Sequence, residues 1–365
     1  MNNDAIINFL ETVAPLSLQE EYDNSGLITG DIHGECQGVM VTLDINEKVI
    51  AEAIEKGCNL IVAHHPLIFG GIRSVIEGDL TGRLLMQAIR AGISIYAIHT
   101  NLDNVLHGVN GRVADLLGLQ HIKVLKPAGK VLRKLHCFVP IDHASVVKEA
   151  IFQAGAGHIG KYSECSFTVE GEGTFLPLPG SNPFKGDLGQ RHVEKEIRLE
   201  IIFPFWLEGV VVKAMRDAHP YEEVAYDLVI LENSYDRVGS GIIGELPDEV
   251  SEKEFLERLQ KVFGTPVVRY SPLRGLSVRK VAVCGGAGSF LISNAIGAGA
   301  DIFVTSDLKY HDFFKADDRI VLADIGHYES EQYTSNLLCD LLKEKFPNFA
   351  VLKSSVQTNP VNYLI

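Results

Sequence analysis

The chain has 365 residues, 46% of them hydrophobic and 22% charged, and a formal net charge of −14. That length exceeds one ordinary domain and can bury cores without covalent staples, while the acidic balance argues against a general nucleic-acid partner, which needs clustered Lys and Arg. No run approaches the roughly 18–20 apolar residues of a membrane span, and the opening MNNDAIINFLETVAP lacks the basic flank and apolar run of a signal peptide, so a cytoplasmic location is expected.

From Gly38 onward, apolar strands alternate with amphipathic stretches: GVMVTLDI, EKVIAEAIEKG, CNLIVAHH, then a helix near LTGRLLMQAIRAG and the strand ISIYAIHT. This is βαβ grammar and predicts a largely parallel sheet covered by helices. Between about Lys130 and Glu232 the order changes to strand (RKLHCFVP), helix (HASVVKEAIFQAGA), two strands (CSFTVEGEGTFLP, EKEIRLEIIFP), helix (LEGVVVKAMRDA) and strand (EVAYDLVIL). That βαββαβ order predicts a ferredoxin-like α+β unit with an antiparallel sheet. Its loop LPGSNPFKGDLGQRHVEKE, rich in Gly, Pro and polar residues, reads as an exposed excursion. The βαβ grammar returns near Arg279 with KVAVCGG, SFLISNAIGAG, ADIFVTSD and RIVLADIG, and a final helix ends near Phe346.

EKGCNLIVAHHPLIF can be laid beside GAGADIFVTSDLKYH with helix end, strand and polar exit in step, which suggests two related α/β halves. Two unrelated βαβ units matching by chance is the plain alternative. The expected fold is α/β, with residues 1–129 and 233–365 forming two halves of one domain and residues 130–232 inserted. The six cysteines show no CxxC pairing and read as reduced, buried thiols.

Three polar clusters stand where apolar strands run out: His64 and His65 before Pro66; His99, Asn101 and Asp103; and His327 to Glu331. Ligands of open parallel sheets bind beyond the carboxyl ends of the strands, so these clusters can converge on one crevice. Imidazole and carboxylate are the usual ligands of zinc and other divalent first-row metals. His64, His65, Asp103, His327 and Glu331 exceed what one tetrahedral ion needs, which points to two divalent ions per chain, zinc first, with manganese or iron as alternatives. On a helix begun at His327, Glu331 lies one turn on and could bridge two ions, whereas Glu329 points away. His99 and Asn101 read as residues that orient ligands from outside. Each motif alone is weak evidence, since paired histidines and HxxxE spacings are common on ordinary surfaces.

AHHP, HTNLD and GHYESE, together with DNSGL at Asp23 to Leu27, resemble the signature segments of the NIF-three-like family, the GTP cyclohydrolase 1 type 2 homologues. The likeness extends to the middle segment, which resembles the CutA/PII-like insertion of longer members. It implies a dinuclear centre with His65 and Asp103 on one ion, His64 and His327 on the other, and Glu331 bridging. It also implies a ring-shaped homohexamer.

Other features carry less. Val283 to Ser289 is a glycine-rich strand-to-helix turn that could present N–H groups to a phosphate, although tight packing explains the glycines equally well. Asp307, Lys309 and His311 stand where AHHP stands in the repeat and could line the same cleft, or simply a solvated loop. His158, Tyr162 and the run His219 to Glu223 belong to the inserted unit, as a regulatory contact or a domain interface. The leading functional expectation is a metal-dependent hydrolase acting on a phosphorylated or nucleotide-like small molecule through a hydroxide shared between two ions. His99 and His311 are its candidate general acids, and no residue selects guanine. The rival is a non-catalytic metal-binding ring acting in storage, regulation or partner docking.

Overall fold

The structure, a computed structural model, describes residues 1–364. They divide into two compact units: Met1–Pro127 with Asp236–Ile365, and Ala128–Tyr235, against the expected insertion of 130–232. In chain order the strands are β1 (Gly26–Thr29), β2 (Val39–Thr42), β3 (Leu60–Ala63), β4 (Ser94–Ala97) and β5 (Gln120–Ala128). There follow β6 (Leu132–Pro140), β7 (Ser166–Phe175), β8 (His192–Pro204) and β9 (Tyr226–Ile230). The last are β10 (Tyr235–Ser251), β11 (Arg269–Tyr270), β12 (Ser277–Ala287), β13 (Ile302–Ser306), β14 (Val321–Asp324) and β15 (Val351–Lys353).

The larger unit holds a five-stranded sheet, ordered β1-β4-β3-β2-β15, and a six-stranded sheet, ordered β11-β14-β13-β12-β10-β5. Each has three consecutive parallel strands, β2-β3-β4 or β12-β13-β14, with an antiparallel strand beyond the third. The segments VMVT, LIVA and SIYA are buried at every position, as continuous apolar runs must be when both faces of a parallel sheet are covered. The helix Glu47–Glu55 starts where the Asn46 side chain accepts the Val49 N–H, and Leu80–Arg90 starts where Asp79 accepts that of Gly82. Gly57 (φ 68°) before β3 and Gly299 (φ 71°) before β13 make the same left-handed exit from a helix.

The sheets do not follow the halves of the chain. β5 joins the six-stranded sheet, and β15 returns to pair in parallel with β2. The helix Thr334–Lys345 also packs on the first sheet, where Leu338 and Leu342 meet Ile6, Leu10, Val39 and Val62. The two halves of the chain therefore exchange edge strands, because edge-strand partners are chosen by long-range pairing that local periodicity does not encode.

The smaller unit is a four-stranded antiparallel sheet ordered β7-β8-β6-β9, the strand order of a βαββαβ fold. Helices Ala144–Gln153 and Glu208–Ala218 bring Val147, Ile151, Val211 and Met215 onto one face, against Leu135, Cys137, Leu199 and Ile201. Its two ends are adjacent: Leu231 N–H donates to Leu132 O at 3.0 Å, and Lys130 pairs with Glu232 at 3.8 Å. The predicted excursion is shorter than expected, because the β7–β8 hairpin zips until Phe175 faces His192. All six cysteines are free thiols, and no helix among the described residues is long and apolar enough to cross a membrane.

Candidate metal centre

The larger unit turns its parallel strands toward one crevice. Ala63 of β3 is level with Ala97 of β4, so His64 and His65 leave the first strand beside His99. After His99 comes a single turn, Thr100–Asp103, and after β14 comes the short helix His327–Glu331. Asn101 fixes the first turn, accepting the His99 N–H at 2.9 Å while its amide donates to Ala14 O at 2.7 Å. Gly326 opens the second at φ 91°, where a Cβ would stand 2.2 Å from Glu329 Oε2.

Glu331, 3% exposed, lies at the middle. Its Oε2 is 2.9 Å from His65 Nε2, 3.1 Å from His327 Nε2 and 3.9 Å from His64 Nε2. Asp103 Oδ1 is 3.7 Å from His64 Nε2, too far for a hydrogen bond. Three sets of potential ligand atoms lie within 4.8 Å of one another: His65, His327 and Glu331; His64, Asp103 and Glu331; and His64, His65 and His99. Glu331 is thus shared by two sets, one grouping His64 with Asp103 and the other His65 with His327, while His64 and His65 also fall together with His99. His64 turns inward and places Nδ1 at 2.8 Å from Ile98 O, and His65 turns toward Glu331 and the β14 exit.

His99, expected to act from outside, faces the centre with the ligand-type residues. His311 does not. It is exposed on the short helix Tyr310–Ala316, against the rings of Tyr310 and Phe314, and does not reach the centre. Lys309 is also exposed there, while Asp307 reaches His327.

Every histidine of the centre is held from behind. His65 Nδ1 is 2.7 Å from Asp44, His327 Nδ1 2.7 Å from Asp307, and His99 Nδ1 2.7 Å from Asp23. Such carboxylate partners fix the tautomer and aim Nε2 inward, the usual support of metal-bound histidines. Sequence reasoning missed Asp44. Its signal was available: a carboxylate just beyond β2, the strand next to β3.

Burial dominates the electrostatics. It presses the pKa of the fully buried His64 down to about 3 and pushes that of Asp103 well up, with the Glu331 charge adding to the latter. Burial also opposes the charged forms of His65, His327 and Glu331, yet their mutual hydrogen bonds win. With Asp44 and Asp307, these bonds raise His65 to about 9 and His327 to about 11 and hold Glu331 well below the usual carboxylate range. The Glu331 carboxylate is thus held in its charged form between His65 and His327. His64 Nε2 and Asp103 Oδ1 are buried without any hydrogen-bond partner, although buried polar atoms are almost always satisfied. Two lone-pair donors orphaned side by side, next to a shared carboxylate, fit divalent cations.

The glycine-rich turn serves this carboxylate and is not a phosphate cradle at its first two N–H groups. Gly285 donates to Asn110 Oδ1 at 2.8 Å and Gly286 to Ser330 Oγ at 3.0 Å. Gly286 sits at φ 62°, where a Cβ would stand 2.4 Å from Glu331 Oε1, so glycine there admits the carboxylate. Beside the centre opens a cavity of about 290 Å³, lined by His65, His99, Asp103, His327 and Glu331 and by the rings of Tyr22, Phe69 and Phe290. Cys284 also lines it, but burial, with Asp103 and Glu331 nearby, pushes its thiol far up and keeps it protonated.

The sequence pattern of the family Duf34/NIF3 (NGG1p interacting factor 3) matches residues 1–360. Proteins named GTP cyclohydrolase 1 type 2 homolog are similar over the whole chain. That of Halalkalibacterium halodurans is 41% identical and that of Bacillus subtilis 38%, each match covering 100% of this chain and 99% of the relative. Among solved structures, a Bacillus cereus protein related to NIF3 superposes with a TM-score of 0.87 at 37% identity, covering 100% of this chain and 99% of that one.

Proposed function

Because the chain belongs to the Duf34/NIF3 family and its strand exits gather metal-ligating side chains around one shared carboxylate, we propose that it is a dinuclear metal-dependent hydrolase of a phosphorylated or nucleotide-like small molecule. The observation that carries this reading is Glu331, common to the sets containing His64 with Asp103 and His65 with His327. Two divalent ions, zinc first and manganese or iron otherwise, would supply Lewis acidity and a water acidic enough to attack near neutral pH. The chain does the rest. Asp44 and Asp307 aim the imidazoles of His65 and His327, and Gly286 admits Glu331. His99, backed by Asp23, lines the cavity and is placed to ligate or to move a proton. Tyr22, Phe69 and Phe290, each more than half exposed at the rim, offer ring faces on which a base can stack, which supports a nucleotide-like substrate. The family resemblance extends the proposal to a ring-shaped homohexamer in the cytoplasm.

The test is a screen of metal-reconstituted protein against phosphoesters and nucleotides, beside Glu331→Gln. Turnover in the parent, lost by orders of magnitude in the variant, is expected. Full metal occupancy without turnover across the panel would replace this reading with metal storage or a docking scaffold. Sedimentation as a monomer or dimer would remove the hexamer.

A further inference from the structure

The smaller unit contains a cavity of about 580 Å³ that no part of the metal centre explains. It lies on the sheet face opposite the two helices. Leu199 and Ile201 of β8 point into the helix-covered core, so by strand alternation Glu196 and Arg198 point to the other side. The neighbouring row on β7 reads Val169, Gly171, Gly173, Phe175, paired with Arg198, Glu196, Glu194 and His192. Two glycines between Val169 and Phe175 leave a trough in that face, and glycine inside a strand marks a place of close approach.

Glu196 forms part of the wall of this trough and is only 8% exposed. Its Oε1 accepts from Tyr221 OH at 3.0 Å, and Oε2 lies where a Cβ on Gly173 would come within 2.1 Å. Among the described residues it has no ion-pair partner, although buried charges are ordinarily paired. The one cationic side chain at the cavity, Arg198, is already engaged with Glu200 at 2.8 Å. Glu170, Glu172, Glu222 and Glu223 add further negative charge at the cavity. Its walls also carry aromatic rings, with Phe175 and Phe184 set around Tyr221 at ring-centroid distances of 5.9 and 6.3 Å. An unneutralised buried carboxylate beside a group of ring faces is the chemistry that selects an organic cation over an anion or a neutral solute.

We propose that the smaller unit binds a small organic cation, an ammonium group on an apolar body, with the charge at Glu196 and the body against Phe175, Phe184 and Tyr221. The full-length protein would be titrated calorimetrically with 2-phenylethylammonium and benzyltrimethylammonium, and with 2-phenylethanol as the uncharged control. Saturable binding of the cations is expected, with the alcohol about tenfold weaker or worse. Glu196→Gln keeps the shape and the Tyr221 bond and should weaken the cations by about tenfold or more, leaving the alcohol unchanged. Gly171→Leu, at a strand position where an added Cβ meets nothing within 4 Å, should keep the fold, fill the trough and abolish binding of all three. The proposal is overturned if no cation binds saturably up to about 10 mM, if the alcohol binds as well as the cations, or if Gly171→Leu leaves binding intact. Cation binding that appears only on dilution would mean that a second copy fills the cavity, and would overturn it equally.

Discussion

In the five-stranded sheet, β4 is followed by His99 and, four residues later, Asp103; in the six-stranded sheet, β14 is followed by His327 and, four residues later, Glu331. Each histidine has its Nδ1 2.7 Å from an aspartate, Asp23 in one case and Asp307 in the other. The two frames part at the middle strand. β3 runs out into His64 and His65, which face the centre, whereas β13 ends at Ser306, whose hydroxyl donates to Gly286 O at 2.6 Å, and is followed by Asp307. One backbone plan thus supplies most of the imidazoles that could hold a metal from one sheet and the shared carboxylate from the other. The extra methylene of Glu331 relative to Asp103 gives it the longer reach, and of the carboxylates in these sets it is the one that belongs to two.

The sharpest way to break this comparison is Glu331→Gln. An amide offers one neutral oxygen, so metal content should fall from about two ions per chain and turnover by orders of magnitude while the fold persists. Wild-type stoichiometry and rate by elemental analysis and assay would end the sharing role. Asp103→Ala and His327→Ala come next. They belong to different sets, so each should cost about one ion and the double variant both, with circular dichroism unchanged. If either single variant empties the centre, the two sets are not separable.

Removing the supporting carboxylates should act more gently. Asp307→Asn is expected to weaken metal binding by about 10–100-fold in a chelator competition, and Asp23→Asn by less, because the set that contains His99 lacks Glu331. Equal losses would make His99 as central as His327. The glycines give smaller effects still. Gly57→Ala and Gly299→Ala, matched left-handed positions with open space around them, should each cost about 1 kcal/mol in denaturant unfolding and spare the metal. Gly286→Ala carries the same strain plus a 2.4 Å clash with Glu331, so it should lower metal content as well. Least of all should follow from replacing residues 128–235 by a short flexible linker. That segment has its own core and adjacent ends, and the shortened chain should hold as much metal as the parent. A metal-free or insoluble product with several linker lengths would show that the centre depends on the insertion.

Much of this was legible before any coordinates. Strand exits can be read because an apolar run such as NLIV or RIVLADI must stop where polar side chains begin, and in a parallel sheet those exits share one edge. The βαββαβ order of the insertion was legible for a similar reason, since its strands and helices switch hydrophobic period cleanly. The inward orientation of His99 was not recoverable, because orientation at a one-turn helix depends on how Asn101 and Asp23 grip it.

By itself, then, the sequence determined which groups could meet: His64, His65, His99, Asp103, His327 and Glu331 all stand at predictable strand ends. Only the tertiary structure decided how close they come, because the backbone of each turn sets where its side chains reach. It also decided that Asp44 stands behind His65, that Gly286 makes room for Glu331, and that β5 and β15 cross to the other sheet. These are contacts between residues far apart in the chain, and no local pattern of hydrophobicity or turn chemistry records them.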